Sequence, residues 1–524
     1  MSSVDPLVAS GGRRLAILLA MAMFVLVVDT SLMNVSISAV VRDLDTTVSG
    51  VQSAIALEAL VSAAFILIGS KVGDLFGRKR AYVLGLLGYA VGALAMTVAQ
   101  DLTAIIVFWA VIGGIGASLL LPAMQSLIHG NFEGAAQRRV YALVGAAAAI
   151  AAAVGPLLGG FITTFLSWRV GFALEVAIIA VVLSGVRMVH DVPYTGRRGV
   201  DLVGAVLSIL GMGGIVLGIL VWQEGGERVG ALIVVGLASL GLLAAWLARR
   251  KRRARPALLD PGLFASKPFR LGISQQMLQQ IALGGTMIAL PIFLQMVLEY
   301  DALQAGLSIA PLSLSMFAVA MLAGRRAGDR RPSVIVRAGF LLVSVGVLGL
   351  IGVVPRVSTG WWLSIPLIVM GTGLGLLVSQ LNDYTLAPIE EERVSEAAGV
   401  NSASGSFGLA FAGAIMLATL SVAFTDLARS SQVLSAAEQE QVATALEDDA
   451  ELMTNTQLEA ILADQPPATQ DEIVRINTEA RPFALQVALL VPLIAGLLGS
   501  VNAFRMVRLP EPEPSDAPDQ MLGG

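Results

Sequence analysis

The 524-residue chain has no cysteine and only two histidines, and 14% of its residues are charged. Without cysteine there are no disulfides and no thiolate chemistry. His129 and His190 both fall beside polar connections, so no metal site is expected. No Walker loop, nucleophile elbow or paired His/Asp constellation is present, which argues against ATP hydrolysis by this chain and against an enzyme of any kind. The alternating pattern of a β-barrel is missing too. What remains is apolar: 56% of residues are hydrophobic, too many for a soluble protein of this length.

Runs of about 20 apolar residues recur along nearly the whole sequence, the mark of an all-α polytopic membrane protein. Fourteen spans are expected, near 15–40, 50–70, 81–99, 102–127, 140–166, 169–189, 201–222, 229–248, 270–297, 303–325, 333–354, 361–384, 396–425 and 483–507. The first run ends in Asn34 and Ser36 without a small-residue cleavage site and reads as a retained span. Alternate connections carry the basic residues: "KVGDLFGRKR", "QRR", "TGRRG", "RRKRRARP" and "GRRAGDRRPSVIVR". The positive-inside rule makes these cytoplasmic, and the even span number puts both termini there in a plasma membrane. Residues 426–482 then form an external loop. Removing its net −9 from the whole-chain −4 leaves +5, so the acidity belongs to that loop. Nothing points to nucleic acid.

A repeat divides the chain. "GSKVGDLFGRKR" from Gly69 and "GRRAGDRRPSVIVR" from Gly324 align Gly73 with Gly328 and Asp74 with Asp329 at equivalent junctions. Gly73 and Gly77 allow a tight link, while Asp74 can cap exposed helix amides or pair with Arg78, beside Lys79 and Arg80. The expected organisation is a tail (1–14), a six-helix bundle (15–189), two inserted helices with a basic linker (190–268), a second six-helix bundle (269–507) and a C-terminal tail (508–524).

Asp29 sits near the middle of the first span, where an ionised carboxylate costs roughly 2.5–3.5 kcal/mol. Counted at 1.5 Å per residue, Glu58 and Glu175 lie at overlapping depth. Burial disfavours charge, so such acids are candidates for carrying protons across as the bundles rock. In "AVGPLLGG" the helix-breaking Pro156 stands among Gly155, Gly159 and Gly160, which permits close packing and a bend. Intramembrane amides need partners, so Asn34, Gln275, Gln276, Gln279, Gln280, Gln295, Gln380, Asn382 and Asn401 are candidates for a substrate cavity. Met277, Met287, Phe293, Met296 and Met316 could give it an adaptable apolar wall.

In this order, "DTSLMNVSI", "GSKVGDLFGRKR", "AVGPLLGG", "SWRVGF" and "PIFLQMVLEYDALQAGLSIAPL" make the chain resemble the major facilitator superfamily (MFS). More closely, it is similar to the fourteen-span drug–proton antiporters of the EmrB/QacA type. The resemblance implies a cofactor-free, proton-coupled exporter of hydrophobic or cationic small molecules. Its partners would be substrate, protons and the bilayer, with a monomer as the expected assembly. It also implies that "AVGPLLGG" controls leakage. Ala110 stands where the family usually has a span-four arginine, and Leu75, Glu58 and Glu175 are further departures. Export of an endogenous lipid or metabolite is the alternative; a membrane enzyme or receptor is more remote.

Overall fold

The computed structural model describes residues 6–132, 134–191, 201–223, 229–253, 255, 257–325, 331–356, 359–389, 393–429, 470 and 482–509. Fourteen long helices run through them, because backbone in hydrocarbon must bond to itself. They are α1 (Pro6–Leu44), α2 (Val48–Phe76), α3 (Arg78–Val98), α4 (Leu102–Ile128), α5 (Gly134–Phe165), α6 (Trp168–Ser184), α7 (Leu202–Gln223) and α8 (Val229–Arg252). There follow α9 (Lys267–Ile292), α10 (Ala302–Arg325), α11 (Pro332–Val353), α12 (Ser364–Leu386), α13 (Val394–Arg429) and α14 (Leu490–Val507). Thirteen are long and apolar enough to cross a membrane; the other, α13, carries the polar run "NSASGS" in its first half.

The packing pattern of α1–α6 recurs in α9–α14 at an offset of eight helices. α1 packs on α5 as α9 packs on α13, and α2 on α4 as α10 on α12. α3 packs on α4 and α6 as α11 packs on α12 and α14. The halves meet along two seams related by the same offset, α2 with α13 and α5 with α10. α7 and α8 pack on each other, and α7 lies against α2 and α13.

Glycines set how close the seams come. A side chain at Gly160 would begin 2.5 Å from the Ala302 carbonyl oxygen, and one at Gly306 would begin 2.4 Å from that of Pro156. At the end away from the basic connections, the Ser38 hydroxyl donates to Gln295 Oε1 at 2.5 Å and Leu303 N–H to the Thr164 hydroxyl at 3.2 Å, bridging the halves. Leu32, Ile37 and Val40 share an apolar core there with Leu290, Ile292 and Leu294. Arg169 adds an ion pair with Asp43 and donates to the Ala99 carbonyl at 2.6 Å.

Asp260 organises the linker at the basic end. It accepts from Gly262 N–H at 2.7 Å and pairs with Lys251 at 3.1 Å and Arg393 at 2.8 Å, while its own N–H donates to Glu396 at 2.6 Å. The linker is thereby tied to the start of α13. Partial burial pushes the Asp260 carboxyl up, but the Gly262 amide, Lys251 and Arg393 outweigh it and hold the group below its ordinary value. A carboxyl lowered by folding adds stability above its ordinary range, near pH 4, and loses that contribution as pH falls through the folded-state value. Asp260→Asn should therefore melt below the wild type at neutral pH, with the gap closing below about pH 4. Melting curves across pH check this, and a gap that stays constant contradicts it.

Candidate functional site

Asp29 is 1% exposed and does not stand alone. The Tyr89 hydroxyl of α3 donates to its Oδ2 at 2.5 Å, and the Trp109 indole N–H of α4 lies 3.1 Å from both oxygens. Trp109 reaches it from a π-helical segment, Ile105–Gly113, one of two in the described residues; the other, Phe293–Val297, carries Gln295. A π turn changes the angular setting of the residues along a helix and is frequent at functional sites.

Glu175 of α6 is 2% exposed, and its carboxyl interacts with that of Asp29. Glu58 of α2 is half-buried and also within range of Asp29, and Tyr89 feels all three acids. The fold thus gathers Asp29, Glu58 and Glu175, which are up to 146 positions apart in the sequence, around one phenol. The described bonds to Asp29 come from neutral donors, so the acid can gain or lose a proton without breaking an ion pair.

The "AVGPLLGG" turn joins this cluster to the seam. A Cβ at Gly155 would lie 2.6 Å from that of Ser31, two residues after Asp29, and one at Gly159 would lie 2.9 Å from Leu32 Cα. Gly160 and Pro156 face α10 instead. One stretch of α5 therefore touches the acid-bearing helix on one side and the opposite half on the other.

At the basic end, Gly69 lets α2 approach the Ser118 carbonyl of α4, where a Cβ would come within 2.4 Å. Gly77 adopts φ +104°, which side-chain-bearing residues rarely tolerate, and its N–H donates to Gly73 at 3.1 Å. Asp191 accepts from the Lys79 amide at 3.0 Å and so caps α3, while Lys79 Nζ donates to the Val189 carbonyl at 2.7 Å. Arg78 is half-buried and Arg80 exposed. The side chain of Asp74, the surroundings of Gly324 and all of Asp329 lie outside the described residues.

A family model of the Major Facilitator Superfamily matches residues 19–413. The chain belongs to that superfamily. The puromycin resistance protein pur8 of Streptomyces alboniger is 29% identical over 406 residues, covering 76% of this chain and 80% of that protein. The multidrug efflux pump LfrA of Mycolicibacterium smegmatis is 26% identical over 93% of this chain and 95% of its own. A bacterial homologue of the human lysosomal transporter Spinster, solved inward-facing and unoccupied, superposes with TM-score 0.64 at 11% identity, covering 97% of this chain and 99% of that one. That likeness is one of fold.

Within this MFS fold the amides divide. Gln275 is fully buried and donates to the Gly499 carbonyl at 2.9 Å, so it packs α9 on α14. Gln276 and Gln280 lie beside Gly405 of α13. Gln279 is buried with its carbonyl unpartnered, and Gln380 is buried in α12. Asn401 donates to the exposed Asn382 at 2.7 Å, and Asn34 turns back to the Thr30 carbonyl at 2.8 Å. Gln295 serves the contact between halves through Ser38.

Tyr89, Trp109 and Asp191 were not singled out in the sequence. For the first two a signal existed: a phenol and an indole far from the span ends, where such rings usually sit. Asp191 carried none, since its capping depends on α3 and the end of α6 meeting.

If Tyr89 is there to hold Asp29, the two are energetically coupled. Tyr89→Phe should destabilise the protein by roughly 1.5–3 kcal/mol, the usual worth of a hydrogen bond to a charged group. Its cost should shrink clearly in an Asp29→Asn background. A cycle of melting temperatures checks this, and strictly additive effects contradict it.

Proposed function

We propose that the chain is a drug efflux transporter that exports hydrophobic or cationic small molecules across the plasma membrane in exchange for protons. The observation that carries the proposal is a mid-span carboxylate, Asp29, held by two neutral donors beside a second buried acid. An acid at that depth is a functional candidate by default. Its position one helix away from the α5–α10 seam gives protonation a mechanical consequence. The names of the relatives, a puromycin resistance protein and a multidrug efflux pump, support drugs as cargo.

On this reading the two halves rock about the α2–α13 and α5–α10 seams, alternately opening a shared chamber. The Ser38–Gln295 and Leu303–Thr164 bridges close the external end, and the linker held by Asp260 and the loop around Gly77 work at the cytoplasmic end. External protons reach the Asp29, Glu58 and Glu175 cluster when the first set opens and leave when the second does. Gln276, Gln280, Asn382 and Asn401 offer the chamber amide groups without a basic side chain, which suits neutral or cationic cargo better than anions. The chain works as a monomer with both termini cytoplasmic.

Energised inverted vesicles test this directly. Ethidium transport by the wild type should follow an imposed pH gradient, and Asp29→Asn should reduce it to the level of empty vesicles while folded protein remains in the membrane. Transport that persists after the gradient collapses removes proton coupling; equal transport by Asp29→Asn removes that residue from the mechanism.

A further inference from the structure

The inserted helix α8 is the span least covered by protein: 17% of its apolar window is buried, the smallest share among the thirteen. Its two faces separate cleanly. Gly236, Ser239, Leu243, Leu247 and Arg250 recur at spacings of three and four, and each is buried or half-buried. Val234, Ala238, Gly241, Ala245, Arg249 and Arg252 recur in the same way on the opposite side, and all are exposed. An exposed apolar face on a membrane span meets acyl chains. The acyl-facing stripe of α8 therefore runs without interruption into two arginines.

The bases at this helix end, "RRKRR" from Arg249, do not all share one environment. Arg250 lies 3.5 Å from the buried Asp201, and its guanidinium sits over the Trp246 ring. Asp201 is itself held by the Trp246 indole N–H at 2.9 Å and the Leu258 amide at 3.1 Å. Lys251 pairs with Asp260. Arg249, Arg252 and Arg253 form no ion pair among the described residues. Arg253 N–H still bonds to the Arg249 carbonyl at 3.2 Å, so the helical turn carries these three to one side.

Depth decides what they meet. Arg249 directly follows the apolar stretch, and the helix rises about 4.5 Å from there to Arg252. That rise fits within the roughly 5–7 Å of headgroup layer on each side of the hydrocarbon. A guanidinium fork matches phosphate oxygens two at a time. A zwitterionic headgroup brings its own ammonium to the phosphate, whereas an anionic one leaves it free for arginine.

We propose that Arg249, Arg252 and Arg253 form a binding site for anionic phospholipid headgroups, with the acyl chains lying along the Ala238–Ala245 stripe of α8. Occupied, the site holds the end of α8 in the headgroup layer, directly before the linker that Asp260 ties to α13. Such a site goes beyond the exporter reading and stands without it.

The lack of cysteine makes a single reporter simple to install. Ala245→Cys carries bimane one turn before Arg249, on the same stripe. In reconstituted vesicles, quenching by doxyl-labelled phosphatidylglycerol and by doxyl-labelled phosphatidylcholine gives the relative affinity of the two lipids there. Phosphatidylglycerol should win about tenfold or more, since each base near a surface is worth about fivefold. The triple variant Arg249→Gln, Arg252→Gln, Arg253→Gln should bring the ratio close to one. Val345→Cys, on the exposed face of α11, should report a ratio near one throughout. Native mass spectrometry of the unlabelled wild type and triple variant makes the same comparison through bound phosphatidylglycerol. An unchanged preference in the triple variant overturns the proposal, as does an equal preference at Val345, the result expected of diffuse surface charge. Inorganic phosphate should displace no more lipid than sodium chloride of the same ionic strength does. Greater displacement by phosphate would mark a site for soluble anions and overturn the lipid assignment.

Discussion

The cost of placing a carboxylate at bilayer depth governs the N-terminal half. Left alone, Asp29 would destabilise α1 as a span. The protein answers with two donors from different helices, so α1, α3 and α4 must sit in one relative arrangement for the bonds to form. A buried polar network that must be satisfied specifies its surroundings more sharply than apolar packing does. Here it fixes α1, and through Ser31, Leu32, Gly155 and Gly159 it fixes the register of α5 as well.

That register carries the connection to motion. α5 presents Gly155 and Gly159 to α1, and Pro156 and Gly160 to α10. The glycines bring α5 close to Ser31, Leu32 and Val35 of α1 on one side and to the backbone of α10 on the other. On the proposed mechanism, a change in how tightly Asp29 is held would pass through these contacts to the seam between halves. Packed interfaces of this kind switch between discrete arrangements and do not deform smoothly. Closure of the non-basic end by Ser38, Gln295, Thr164 and Leu303 represents one such arrangement.

Much of this was legible in the residues, for identifiable reasons. Apolar runs dictate helices wherever backbone cannot reach water, and the doubled Gly/Asp junctions at 69–80 and 324–337 pointed to the eight-helix offset later seen in the packing. The depth of Asp29 followed from the rise of a helix. Its partners did not, because Tyr89 and Trp109 lie 60 and 80 positions away and Trp109 reaches the acid from a π segment that no pattern announces. The amides were the least legible. Gln275 and Gln276 are neighbours in sequence, yet one packs on α14 and the other faces α13, a division made by the helices around α9.

The central claim is that the Asp29–Glu175 pair exchanges protons inside the membrane. Difference infrared spectroscopy of the reconstituted protein on acidification observes carboxyl groups directly. The account predicts a growing carboxylic C=O band, part of which is missing in the Asp29→Asn, Glu175→Gln double variant. A wild-type spectrum without that band, or one that the double variant reproduces, would contradict it.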